Sequence, residues 1–101
     1  MEAQGCQQSQ EATRREKARE VFQSGKVPRR KPVRTLGGFA TGEICVVCSE
    51  LLTVSQLEIE FEFNGETPDT YHAHPRCFVA LELEFYAQAL LGALSPGGQH
   101  Q

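Results

Sequence analysis

The feature that most limits what this chain can become is a pair of short steps set far apart. Cys45 and Cys48 have two residues between them, His74 and Cys77 have two between them, and 25 residues separate the pairs. The chain has 101 residues, 40% of them apolar and none of them tryptophan. That length predicts one small domain with tails. A core of that size gains a large share of its stability from a staple such as a metal or a disulfide.

A C-x-x-C turn brings two sulfurs to one ion, and His74 and Cys77 flank a predicted helix start. Four such donors close a tetrahedral Cys3His zinc site. Cysteine binds as thiolate, and Cys77 in the first helical turn gains from the positive end of the helix dipole. Three thiolates on Zn²⁺ leave about one net negative charge, and Arg76, the one basic residue of 43–101, lies beside them. One structural zinc on Cys45, Cys48, His74 and Cys77 is therefore expected. Such an ion contributes on the order of 10 kcal/mol or more to folding. The competing readings are small buried cysteines or a Cys45–Cys48 disulfide. His72 is the rival ligand, with His74 preferred for its symmetric spacing. Cys6, in the polar N-terminus, reads as a free thiol.

Four protein ligands leave no open coordination position, which a catalytic zinc keeps. The order H-x-E then P-C-x-x-C, which zinc deaminases need, does not occur here. Neither does a phosphate loop, a Ser-His-Asp arrangement or a paired acid beside the site. The expectation is a non-enzyme with no small-molecule substrate.

The remaining segments read as follows. Residues 9–24 form a helix capped by Ser9 and closed by Gly25, with a thin apolar face of Ala12, Ala18, Val21 and Phe22. Residues 26–34, "KVPRRKPVR", carry five positive charges and two prolines, which favour an extended arm. Residues 35–44 hold three glycines and read as a linker or turn. Residues 57–63, "LEIEFEF", alternate at the strand period. Leu57, Ile59, Phe61 and Phe63 face one way, and Glu58, Glu60 and Glu62 form a solvated face. "NGETPD" is turn chemistry, 70–74 is the return strand, and Pro75 opens a helix that Gly92 closes. The organisation is thus an N-terminal helical segment (1–25), a basic Pro/Gly-rich arm and linker (26–42), a zinc-finger domain (43–92) and a disordered tail (93–101). The fold class is α+β.

The order knuckle, β-hairpin, helix resembles the treble-clef family of zinc fingers. The C-x-x-C…H-x-x-C layout is similar to that of PARP-type and LIM-type fingers. A closer resemblance is to small uncharacterised bacterial proteins that carry a "PRR" segment, an "RT-x-GG" stretch, C-x-x-C and "YH-x-H-x-RC". Here these are Pro28–Arg30, Arg34–Gly38, Cys45–Cys48 and Tyr71–Cys77. The resemblance implies a zinc-stapled, treble-clef-like unit and brings no established activity with it.

The surfaces limit the partners. Residues 1–42 carry nine basic and four acidic residues, and 43–101 carry one and nine, so a total of −3 hides a division into +5 and −8. The arm residues Lys26, Arg29, Arg30, Lys31 and Arg34 have three readings: a solvated linker, a site for nucleic-acid phosphate, or a strap on the acidic strand face. On the last helix, Phe78, Leu81, Phe85 and Ala89 share one stripe, and Val79, Leu83, Tyr86 and Leu90 share the next. That apolar arc is wider than a hairpin covers. Either Val21 and Phe22 of the first helix cover the second stripe, or Leu83, Tyr86, Leu90 and Leu91 meet a second copy or a protein partner. No run is long enough to span a membrane, and the N-terminus lacks the features of a secretory signal, so a cytoplasmic protein is expected.

Overall fold

The structure, a computed structural model, describes residues 2–65 and 70–94, with side chains over 10–65 and 70–91. The side chain of Cys6 and the tail 95–101 lie outside the described residues. The elements run α1 (Glu2–Ser24), β1 (Arg34–Phe39), β2 (Leu57–Glu62), β3 (Thr70–Ala73) and α2 (Pro75–Leu94). The architecture is α+β: two helices and one antiparallel sheet in the order β1-β2-β3.

The first helix starts earlier than Ser9, at Glu2, because the Gln-, Glu- and Ala-rich N-terminus has good helix propensity. It ends where expected. Gly25 takes the left-handed conformation (φ 80°), the Gly25 N–H donates to Phe22 O, and the Lys26 N–H donates to Val21 O. That pair of bonds is the Schellman closure, which favours glycine because it has no Cβ.

The segment expected as linker is a strand. Residues 34–39 pair with β2 in the register Arg34↔Glu62 through Phe39↔Leu57, extended by Val33 N–H to Glu62 O and Ala40 N–H to Gln56 O. Its two glycines carry little strand propensity. The pairing is supplied instead by the free edge of β2, and Gly37 leaves room for Ile59 Cδ1. The sheet thus has three strands where a two-stranded hairpin was expected.

The core lies between one sheet face and the helices. Phe61 and Tyr71, cross-strand partners, stack at 5.7 Å. Phe61 meets Phe78 of α2 at 4.9 Å, and Phe63 meets Phe85 at 6.2 Å. Phe22 of α1 packs edge-on against Phe85 at 5.7 Å. Ala18, Val21 and Phe22 are buried against this cluster, and so is Val27 of the arm. Full burial of one such aromatic is worth about 2–3 kcal/mol.

Three sequence expectations change here. Leu57 is exposed at the start of β2, beside an open groove, and Glu58 behind it is buried, so the acidic row is not uniformly solvated. Gly92 does not close α2, which continues to Leu94; the helix-forming Ala93 and Leu94 carry it on. Finally, α1 docks on the stripe that holds Phe85 and not on the second one. Val79, Leu83, Tyr86, Leu90 and Leu91 stay 44–63% exposed.

Candidate metal centre

Two local structures build the centre. Residues 43–52 fold back on themselves: Cys45 N–H donates to Glu50 O, Ser49 N–H to Cys45 O and Leu52 N–H to Glu43 O, with an Ile44–Leu51 bridge. Ser49 takes a left-handed φ of 67° to complete the turn. The second structure is the entry to α2. His74 O accepts the Phe78 N–H at 2.8 Å, so His74 is the N-cap residue, Pro75 the first helical residue and Cys77 the third. The His74 and Cys77 side chains therefore lie within one turn. The two structures are joined by the Val46 N–H, which donates to His72 O at 2.9 Å.

Cys45, Cys48, His74 and Cys77 converge, with all their donor atoms within 4.8 Å of one another. His74 Nδ1 lies 3.4 Å from Cys48 Sγ and 3.8 Å from Cys77 Sγ. A tetrahedral ion with bonds of about 2.3 Å to sulfur and 2.0–2.1 Å to nitrogen sets a nitrogen–sulfur edge of about 3.5 Å. The donor set and its spacing fit one zinc-like ion. Cys45 and Cys77 are buried, and Cys48 and His74 are half-buried.

The protonation pattern of the sulfurs points the same way. Cys45 is pulled down to about 4, mainly by its hydrogen bond with Cys77, against burial and with help from the backbone N–H groups of Cys48, His74 and Val47. Burial pushes Cys48 up, partly offset by the Glu50 N–H. Cys77 is pushed well up by the hydrogen bond with Cys45, by burial and by the nearby sulfur charges. The expected gain of Cys77 from the helix dipole is outweighed. The sulfurs ionise readily once, and the second and third charges need a cation among them.

His72 turns elsewhere. Its Nδ1 lies 3.1 and 3.2 Å from the two carboxylate oxygens of the buried Glu58, which leaves His74 with the cysteines. A groove of about 740 Å³ opens on the half-buried side of the centre, and Arg14, Lys17 and Arg76 line it beside Cys48 and His74. Glu50 lines the same groove, and Arg14 is paired with Glu11 at 2.8 Å.

The basic arm is dispersed over internal partners. Arg29 donates from Nε to Phe22 O at 3.2 Å and from a terminal nitrogen to Gln23 O. Arg30 donates to Asn64 O at 2.6 Å and lies over the Phe63 ring. Lys31 lies 4.6 Å from the centre of the Tyr86 ring. Arg34 stands opposite Glu62 in the sheet, and Lys26 is exposed near the knuckle. The arm straps α1 to the hairpin and to α2. No sequence periodicity marks Val27 or Glu58 as buried, and the +5/−8 charge division suggested a strap on the acidic strand face, whereas Arg29, Arg30 and Lys31 meet backbone carbonyls and aromatic rings instead.

Among the described residues no helix is long and apolar enough to cross a membrane. Compared with protein-family models, with curated proteins and with solved structures, the chain gives no match, and its function is read from its own residues.

Proposed function

We propose that this chain is a non-catalytic, treble-clef-like zinc module that acts by presenting the exposed stripe of α2 to a protein, in the first place a second copy of itself. The observation that carries the reading is the closed donor set of Cys45, Cys48, His74 and Cys77. Four protein ligands satisfy a tetrahedral ion and leave no position for substrate, so the metal's work is to hold the knuckle to the start of α2. The order of knuckle, hairpin β2–β3 and helix α2 supports the treble-clef reading. The interaction half rests on Leu83, Tyr86, Leu90 and Leu91, which are 44–63% exposed among the described residues, with Lys31 lying over the Tyr86 ring. Tyr86 and Leu90 continue the 4-3-4 spacing begun at Val79 and Leu83, the spacing that a facing helix fills. A nucleic-acid reading through the arm has less support, because Arg29, Arg30 and Lys31 have internal partners.

Native mass spectrometry of the full chain tests both halves. The expected result is one zinc per chain and a dimer mass, with Leu83→Glu/Leu90→Glu returning a zinc-loaded monomer. A folded, metal-free protein would end the zinc half. A monomer at all concentrations, unchanged by the double substitution, would end self-association and move the test to a different protein partner.

A further inference from the structure

The opposite face of the sheet carries a second group of metal-ligating side chains. The alternation along β2 places Glu58 and Glu60 on one face, and the β2–β3 register sets His72 directly across from Glu60. The donor atoms of Glu58, Glu60 and His72 all lie within 4.8 Å of one another. We propose that Glu58, Glu60 and His72 form a second divalent-cation site, built of oxygen and nitrogen donors and separate from the thiolate centre.

Geometry comes first. His72 Nδ1 lies 3.1 and 3.2 Å from the Glu58 carboxylate oxygens. Two ligands bonded to one ion at about 2.1 Å stand about 3.0 Å apart in an octahedral site and about 3.4 Å apart in a tetrahedral one. The observed separations fall between these values. An internal hydrogen bond also accounts for them, but it involves two of the three groups. Glu60 is half-buried, turns its carboxylate toward the same point, and has no hydrogen-bond or ion-pair partner among the described residues.

The surroundings favour a cation. Glu58 is only 4% exposed, and a buried carboxylate requires compensating positive charge or several donors. A second carboxylate beside it raises that requirement. The β1 residue opposite Glu58 is Gly38, and a Cβ built there would meet nothing within 4 Å. That gap leaves room for water ligands. Two carboxylates and an imidazole with open positions suit borderline to hard first-row ions such as Mn²⁺ or Co²⁺, whereas the three-sulfur centre selects softer binding. The two sites therefore sort metals by donor chemistry and are read independently of each other.

Cobalt distinguishes them. Co²⁺ is added to the full-length protein with its zinc bound, and equilibrium dialysis with metal analysis gives the stoichiometry. The expected result is one Co²⁺ per chain with weak visible bands and no sulfur-to-cobalt charge transfer. Glu60→Gln and His72→Gln each weaken cobalt binding by more than the roughly 10–100-fold that loss of an outer-shell partner brings, while zinc content stays unchanged. Glu60→Gln is the decisive variant, because it leaves the Glu58–His72 bond in place and far-UV circular dichroism confirms its fold. No cobalt bound by the wild type, or binding unchanged in Glu60→Gln, overturns the proposal and leaves an internal hydrogen bond. Failure of the thiolate centre looks different: the protein then carries no zinc, and added cobalt gives no sulfur charge-transfer bands, while cobalt binding that depends on Glu60 is unaffected.

Discussion

Replacing Arg29 by alanine separates a structural arm from a nucleic-acid arm. Arg29 closes the C-terminal end of α1: its guanidinium donates to Phe22 O and Gln23 O and lies 6.0 Å from the centre of the Phe22 ring. Phe22 O keeps the Gly25 N–H after the substitution, and Gln23 O turns to water. A hydrogen bond from a charged donor is worth about 1.5–3 kcal/mol, but here the donor is exposed and water replaces much of it. The favourable position of a cation at a helix C-terminus adds about 0.3–1 kcal/mol. The net expected loss is about 1–1.5 kcal/mol, a fall in Tm of roughly 4–8 °C per kcal/mol for a domain of this size. Arg29→Lys should recover less than half, since an ammonium cannot fork between two carbonyls. Thermal melts of the zinc-loaded protein by circular dichroism read this directly. A parallel titration with unrelated duplexes at two salt concentrations reads the alternative. An unchanged Tm together with loss of salt-sensitive duplex binding would refute the strap and return the arm to phosphate recognition.

Three further outcomes are expected. Zinc affinity should fall as pH falls, because protons compete for the ligands. Cys45, at about 4, is already ionised at neutral pH while Cys48 and Cys77 are held protonated, so uptake should release about two thiol protons and affinity should change about a hundredfold per pH unit. Calorimetry in buffers of different ionisation enthalpy counts them, and a count near three would mean that the metal-free chain does not hold this cluster. His74→Ala should abolish stoichiometric zinc while His72→Ala retains it, by metal analysis after gel filtration; the reverse pattern would overturn the ligand assignment. Ser49 sits at φ 67°, where a side chain costs roughly 1–2 kcal/mol. Ser49 already bears that cost, so Ser49→Gly should raise chemical-denaturation stability by up to about that amount, while Ser49→Val should lower it because a β-branched residue is still worse there; a loss in Ser49→Gly would argue that the serine side chain matters more than its backbone.

What was legible in the sequence is what local spacing dictates. The paired two-residue gaps located Cys45, Cys48, His74 and Cys77, because a turn and a helix start each bring residues three apart to one side. The alternation of "LEIEFEF" located β2, and Gly25 located the end of α1, where a left-handed residue was needed. The second apolar stripe of α2 was legible as apolar, though which stripe α1 would cover was not.

Tertiary structure decided everything that depends on segments far apart in the chain. Arg34–Phe39, with two glycines, becomes a strand because β2 offers it an unpaired edge. Glu58 is buried, and its partner His72 lies fourteen positions later in the chain. The arm cations find backbone carbonyls and aromatic rings that are neighbours only after folding. Periodicity reports which residues share a face; it carries no information on what comes to cover that face, because coverage is set by contacts between distant segments.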